Sequence, residues 1–347
     1  MQVHGGDIYN NKVKLDFSAN INPAGMPQSV ESAAKSGVEL SGNYPDIGCS
    51  KLKREIAIKE GVPVEWIVCG NGAAELIFQF AFAIQPKRAL LIQPTFAEYA
   101  QALEAVDCKL EYGFLSEEDG YKMTDRVLEL IHPGLDVMFL CNPNNPTGET
   151  IPTDLLRNII QKCQECQIRL VVDECFQEFL LEKDQDSVIG LVDTYDFLFV
   201  LKAFTKMYGM AGLRLGYALT SDGILRDKMK RMSQPWNVSI PAQMAGIAAC
   251  REVEFAIHSR DLIQQEKSYV QGQIEQLGYR VYGSKANYIF FQGPDGLYEY
   301  CLKQAILIRS CSNYPGLSEG YYRIQVKNRQ ENLILLRCLE QFMAQQY

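Results

Sequence analysis

Short, continuously apolar runs alternate with helix-like stretches through the first two-thirds of the chain, and this alternation most limits the possible folds. The runs read RALLIQ, DVMFLC, IRLVVD and FLFVL. Runs of this length are typical of strands buried on both faces of a parallel sheet. The stretches between them, such as Pro152 to Cys166, have helical periodicity. The alternation therefore predicts an α/β fold with a doubly wound, mostly parallel sheet.

The pattern changes after about Gln234. A long polar helical stretch from Glu252 to Leu277 precedes three short strands, read from YRVYGS, NYIFF and YYRIQV, and a closing helix. This order is typical of an α+β unit. We therefore predict a large domain over residues 30–235, and a small domain formed by residues 236–347 together with residues 1–29 as an N-terminal arm.

Composition narrows the class of partner. The chain has 347 residues, 47% of them hydrophobic, and its net charge of -8 argues against nucleic-acid binding. It lacks an apolar run of membrane-spanning length, and its N-terminus lacks an apolar signal core, so we expect a cytoplasmic protein that binds a small molecule. Eleven cysteines without a repeated metal-ligand spacing, the one CxxC pair being Cys163 with Cys166 in a helical stretch, and only three histidines favour a reduced compartment and no metal.

Polar residues follow several of the apolar runs. Lys206 lies just past FLFVL, Asn145 lies in CNPNNPTG, Asp173 ends VVD, and Gly72 with Ala73 leads from a glycine turn into a helix. Each has an ordinary structural explanation: a solvated lysine, a turn former, a loop cap or a bend. In open α/β sheets, however, ligands bind at the carboxyl ends of the strands. A helix start can also hold an anion there.

Taken together, these residues suit pyridoxal 5′-phosphate. Its chemistry needs a lysine, a carboxylate beside the pyridine nitrogen, and amide groups with an arginine around its phosphate. With these motifs the sequence resembles, over essentially its full length, the fold type I pyridoxal-phosphate enzymes, whose fold is that of aspartate aminotransferase. Within them it is similar to the histidinol-phosphate aminotransferase group.

The resemblance implies a role for each matching residue. Lys206, in FTKMYGMAGLRLGY, matches the Schiff-base lysine, and Asp173 matches the partner of the pyridine nitrogen. The further cofactor-binding residues that it implies are Gly72, Ala73, Phe96, Asn145, Thr205, Arg214 and Tyr44. Of these, Tyr44 matches a tyrosine that reaches the cofactor of the neighbouring subunit, which implies a homodimer with shared active sites. Arg323 matches the arginine that binds the substrate carboxylate.

Two positions depart from the aminotransferase pattern. Phe176 stands where those enzymes usually carry a tyrosine, and Ala203 stands where a hydroxyl commonly binds the cofactor phosphate. A phosphate site with several other donors loses about 1–2 kcal/mol with one hydroxyl, so cofactor binding should survive. The phenol of that tyrosine usually donates to the ring hydroxyl of the cofactor, so its loss changes the electronic state of the cofactor and argues against ordinary transamination.

Further segments resemble the threonine-phosphate decarboxylases of cobalamin biosynthesis, in which a phenylalanine is expected at the position of Phe176. These segments are HGGDIYNN, LDFSANINPAGMP, ILIRSCSNYPGL and YYRIQV. The resemblance implies a phosphorylated amino-acid substrate. The residues that it implies around the substrate phosphate are His4, Gly5, Gly6, Asn20 and Arg309.

Three functions remain open from the sequence. The first is decarboxylation of O-phospho-L-threonine to aminopropanol phosphate and carbon dioxide. The second is a histidinol-phosphate aminotransferase that transfers an amino group to 2-oxoglutarate. The third is a binding module that keeps the cofactor without catalysis. Phe176 and the HGG segment favour the first over the second, and the complete set of Lys206, Asp173, Asn145 and Arg214 argues against the third.

Overall fold

A computed structural model describes residues 4–181 and 187–346, so residues 1–3 of the predicted N-terminal arm lie outside the described part. The strands are β1 (Leu15–Asp16), β2 (Ile67–Gly70), β3 (Arg88–Gln93), β4 (Lys109–Phe114), β5 (Val137–Cys141), β6 (Arg169–Asp173), β7 (Leu198–Ala203), β8 (Gly216–Leu219), β9 (Arg280–Tyr282), β10 (Tyr288–Gln292), β11 (Ile306–Leu307), β12 (Arg309–Ser310) and β13 (Tyr321–Gln325). The helices are α1 (Gln28–Glu39), α2 (Ser50–Glu60), α3 (Ala73–Ile84), α4 (Glu98–Glu104), α5 (Thr153–Glu165), α6 (Gly223–Met232), α7 (Ile240–Ala249), α8 (Val253–Gln276), α9 (Leu297–Lys303) and α10 (Arg329–Met343).

The main sheet has seven strands in the order β2-β8-β7-β6-β5-β3-β4. The neighbouring pairs from β4 to β7 are parallel, and β8 is antiparallel to both of its neighbours. The predicted α/β fold with a mostly parallel sheet is confirmed. Strands β5, β6 and β7 run in the same direction, so the residues that follow them lie at one edge of the sheet.

Both faces of this sheet are buried, which explains the continuously apolar runs. Side chains alternate between the faces, so Val171 and Phe199 enter one core while Val172 and Val200 enter the other. Helix α5 covers the face that carries Val172 and Val200, with apolar residues spaced three or four positions apart. Each fully buried leucine or isoleucine contributes about 1.5–3 kcal/mol. The main sheet therefore makes a rigid base for the residues at its edge.

A second sheet of four antiparallel strands, in the order β12-β13-β10-β9, shares one apolar core with α8 and α10. Strand β1 pairs in parallel with β11, so the N-terminal segment joins this part of the molecule. Helix α8 runs over Val253–Gln276, close to the predicted bounds. The domain boundaries at residues 30 and 235 stay predictions.

Within the described part of the chain, none of the helices has both the length and the apolar character needed to cross a membrane. The cytoplasmic location stays a prediction. The cysteines are free, and Cys163 lies inside α5 while Cys166 ends it.

Candidate active site

A cavity opens at the carboxyl ends of β5, β6 and β7, and it brings together most of the residues singled out in the sequence. The β12-β13 pair and the N-terminal segment complete its wall. The predicted residues that line it are His4, Gly5, Asn20, Ala73, Phe96, Asn145, Asp173, Thr205, Lys206, Arg214, Arg309 and Arg323. The two departures from the aminotransferase pattern, Phe176 and Ala203, lie on the same wall. Residues from distant parts of the chain thus share one pocket.

Lys206 follows β7 and is held among cationic groups. Burial lowers the pKa of its ammonium group to about 8, and Arg323 and Arg214 act in the same direction. Its Nζ lies 5.8 Å from the centre of the Phe176 ring. A lysine with a lowered pKa has a substantial neutral fraction near pH 8, which a nucleophilic amine requires.

Asp173, at the end of β6, is held by two donors. Its Oδ1 accepts a hydrogen bond from the backbone N–H of Cys175 at 2.9 Å, and its Oδ2 accepts one from the Tyr99 hydroxyl at 2.6 Å. Only 5% of the residue is exposed. The two bonds fix the carboxylate on the cavity wall, where it can pair with a cationic ring nitrogen.

An anion-binding end is formed by the start of α3, Thr205 and Arg214. Gly72 caps α3 with a φ of 84°, and a Cβ at this position would lie 2.4 Å from Arg214 Nη2. The guanidinium therefore lies directly against the turn, next to the N–H groups of the first helical turn. These donors suit a phosphate group. Together with the Asp173 carboxylate, they fit the predicted pyridoxal phosphate.

Arg323, in the middle of β13, is buried beside Asn145. Its Nη1 donates to Asn145 Oδ1, its Nη2 donates to Ser18 O at 2.7 Å, and its Nε is buried without a partner among the described residues. Asn20, only 2% exposed, leaves both amide atoms without partners in the same described set. Buried polar groups in this state are costly unless a ligand or water meets them. Both side chains are therefore suited to bind a polar ligand.

The N-terminal HGG segment packs closely on the loop after β1. A Cβ at Gly5 would lie 2.2 Å from Ser18 O, so this contact requires glycine. The Gly6 N–H donates to Ser18 Oγ at 2.7 Å. These contacts place His4 and Gly5 on the cavity wall, with His4 Nδ1 3.4 Å from Glu98 Oε1.

Three predicted residues are not among those that line the cavity. Gly72 lies behind Arg214, and Gly6 is turned toward Ser18. Tyr44 is 77% exposed and stacks on Trp236 with ring centres 4.5 Å apart. Its predicted contact with the neighbouring subunit stays a prediction.

Two residues of the site, Glu98 and Tyr99, are not among those that the sequence singled out. Tyr99 and Glu98 follow Phe96 closely, in PTFAEY, where the sequence alone gives them the character of ordinary helix residues. The Tyr99 hydroxyl donates a hydrogen bond to Asp173, and Glu98 lies on the cavity wall itself. A helix that starts at the carboxyl edge of the sheet places its first turn at that edge, and this feature could have identified both residues.

Comparisons with known proteins agree with this arrangement. The profile of the family described as aminotransferase class I and II matches residues 12–339. Threonine-phosphate decarboxylase of Salmonella typhimurium is 37% identical over 334 residues, which cover 95% of this chain and 91% of that protein. Histidinol-phosphate aminotransferase 1 of Cupriavidus pinatubonensis is 30% identical over 334 residues, or 94% of this chain and 87% of that protein. The crystal structure of the histidinol-phosphate aminotransferase from Clostridium acetobutylicum superposes with a TM-score of 0.89 at 28% identity, covering 95% of this chain and 99% of that one.

Proposed function

Because the chain belongs to the aminotransferase class I and II family, we propose that it is a pyridoxal-phosphate enzyme that decarboxylates O-phospho-L-threonine to aminopropanol phosphate and carbon dioxide, a reaction of cobalamin biosynthesis. The relative named threonine-phosphate decarboxylase is more similar to this chain than the relative named histidinol-phosphate aminotransferase 1. One observation of the site carries the proposal: three further anion-binding side chains, Arg323, Arg309 and His4, line the cavity with Lys206, and Arg309 lies directly opposite Arg323 across the β12-β13 pair.

These side chains would divide the binding work between the cofactor and the substrate. Arg214, Thr205 and the start of α3 hold the cofactor phosphate, and Phe96 packs on its ring. Asp173 holds a proton on the pyridine nitrogen, and Asn145 binds the ring oxygen. When bound, pyridoxal phosphate would act as an electron sink for one of the bonds to Cα.

The protein's own residues would decide which of these bonds breaks. Arg323 binds the substrate carboxylate as a planar fork, while His4 and Arg309 bind the substrate phosphate. Two charged groups of the substrate, each held by its own side chains, would fix the rotation about the bond from Cα to nitrogen. With the carboxylate so placed, its bond to Cα would break and carbon dioxide would leave. The Lys206 amine, which lies in the same cavity, would then deliver a proton to Cα.

The test is incubation of the purified, cofactor-loaded protein with O-phospho-L-threonine alone. We expect many turnovers of carbon dioxide without a keto acid, and little release from L-threonine, which lacks the phosphate anchor. Histidinol phosphate with 2-oxoglutarate should give little glutamate. If this pair turns over well and O-phospho-L-threonine does not, the protein is an aminotransferase. If neither reacts while the cofactor stays bound, it is a binding module.

We further infer a homodimer in which Tyr44 serves the cavity of the second subunit. Its exposure and its absence from the cavity wall of its own chain support this role. Lys206→Ala and Tyr44→Ala subunits, unfolded and refolded together, would form mixed dimers with one intact site each. Such a mixture should recover about one quarter of the wild-type activity, since half of its dimers are mixed and each has one of two sites. Activity no higher than the average of the two separate variants would contradict the inference.

A further inference from the structure

Glu98 is a charged group of the cavity wall to which the proposed function gives no role. It begins α4, two residues after Phe96, and its side chain is 15% exposed. Its Oε1 lies 3.4 Å from His4 Nδ1, which is long for a hydrogen bond. Its Oε2 is buried and has no hydrogen-bond partner among the described residues. A buried carboxylate oxygen without a donor is costly, so this group is suited to hold a proton.

The charges around Glu98 come from each element that packs near it. His4 of the N-terminal segment, Lys206 after β7 and Arg309 of β12 favour the ionised form, as does its own backbone N–H. Burial acts against all of them and is the largest influence, so the pKa of Glu98 is raised. An anion bound nearby would raise it further.

The substrate of the proposed reaction brings such an anion. Its phosphate would lie near His4 and Arg309, both of which neighbour Glu98. An ionised Glu98 would repel a phosphate there, whereas a protonated carboxyl group donates a hydrogen bond to a phosphate oxygen. We propose that Glu98 is a specificity-determining residue of the substrate subsite, which takes up a proton from solvent as the phosphorylated substrate binds and donates a hydrogen bond to its phosphate. This inference rests on the proposed function.

Glutamine is the variant that separates this role from others, because its amide has the shape of a protonated glutamate and donates a hydrogen bond without titrating. Glu98→Gln should keep the affinity for a phosphorylated ligand and lose the proton uptake. Glu98→Ala loses the donor and should weaken binding about tenfold to a hundredfold, the effect of one charge-assisted hydrogen bond. Glu149→Gln is a matched control. Glu149 is also buried with a raised pKa, but it does not line the cavity.

The experiment is titration calorimetry of the cofactor-loaded protein with 2-aminoethyl phosphate, which has the amine and the phosphate but no carboxylate to lose. Measurements at pH 7.5 in two buffers of different ionisation enthalpy give the protons taken up per site. Wild type and Glu149→Gln should take up equal amounts, a fraction of a proton up to about one. Glu98→Gln should take up less than half of the wild-type amount, since any uptake by the phosphate itself remains.

Two results would overturn the inference while leaving the proposed function in place. One is Glu98→Gln with the proton uptake of wild type. The other is Glu98→Ala with the affinity of Glu98→Gln, provided that circular dichroism and cofactor absorbance show both variants folded and loaded. If wild type does not bind 2-aminoethyl phosphate and does not decarboxylate O-phospho-L-threonine, the proposed function fails and the inference falls with it.

Discussion

Replacing Asp173 by asparagine should keep the fold and remove most of the activity. The carboxylate accepts two hydrogen bonds, from the Cys175 N–H and from the Tyr99 hydroxyl. An asparagine oxygen can still accept from Cys175, and the Tyr99 hydroxyl can rotate to accept from the new amide nitrogen. Both contacts survive in a neutral form, so the cost in stability should be limited to about 1–2 kcal/mol.

The effect on catalysis should be larger, because the amide cannot stabilise a positive charge on the pyridine nitrogen. Electrostatic groups of this kind are worth about 2.7–4 kcal/mol in the transition state, which corresponds to a loss of about 100- to 1,000-fold in kcat. The loss should appear in carbon dioxide release from O-phospho-L-threonine at saturating substrate. Cofactor absorbance and circular dichroism on the same samples separate it from loss of cofactor or of fold.

The control is Glu149→Gln, which neutralises a buried carboxyl group outside the cavity and should leave kcat unchanged. A cycle with Tyr99→Phe adds a second check. Removing the hydroxyl should cost more beside Asp173 than beside asparagine, since the bond to the carboxylate is charge-assisted. Near-normal turnover of a fully loaded Asp173→Asn protein would refute the role of this carboxylate.

Three further predictions concern the same region. Borohydride reduction should attach the cofactor to Lys206, and peptide mass spectrometry that finds it on another lysine would contradict this assignment. In the cofactor-free protein, acylation of Lys206 by a small neutral reagent should increase as the pH rises through about 8, because its lowered pKa leaves the amine protonated only below that value. An increase only near the ordinary lysine pKa of about 10.4 would be evidence against the lowered pKa. Phe176→Tyr restores the phenol that the aminotransferases carry, and it should lower the ratio of carbon dioxide released to glutamate formed with 2-oxoglutarate present, whereas an unchanged ratio would remove Phe176 as a determinant of the reaction. Lys202→Met leaves Glu60 and Glu174 buried without the cation that they share, so it should lower the free energy of unfolding by about 3–5 kcal/mol. Equal midpoints of chemical denaturation for the variant and the wild type would disprove this expected cost.

The strands of the main sheet were predictable because the pattern that marks them lies within a few consecutive residues. A strand buried on both faces needs a short apolar run, and VVD or VMFLC meets this need without reference to any other part of the chain. Site residues that directly follow such runs were predictable for the same reason. Asp173 and Lys206 stand where strands end, and parallel strands bring their ends to one edge.

Residues whose role depends on a distant partner could not be found in this way. In the sequence Tyr99 looks like any helix residue, and only the tertiary structure brings its hydroxyl to Asp173, 74 positions later in the chain. Glu98 gains its character from burial and from His4, neither of which shows in PTFAEY. The position of Tyr44 is harder still, since its predicted partner is a second copy of the chain.

The alternation of side chains along a strand also explains two buried charged residues, Lys202 and Glu174, that lie within or directly after apolar runs. Lys202 lies inside FVLKA and Glu174 directly follows Asp173, so each is next to a site element but belongs to the opposite face of the sheet. Their charged groups are 3.7 Å apart, and Glu174 also accepts hydrogen bonds from Ser187 Oγ and the Val188 N–H.

A buried pair of this kind contributes little net stability, because desolvation offsets the attraction, but breaking it is expensive. The carboxylate of Glu174 therefore fixes the backbone at the point where the chain turns from β6 toward Phe176. Asp173 lines the cavity while Glu174 points to the opposite side of the sheet, because successive residues of an extended chain alternate between the two faces. The turn that carries Asp173 is thus held from the opposite face by a charge pair whose members do not line the cavity.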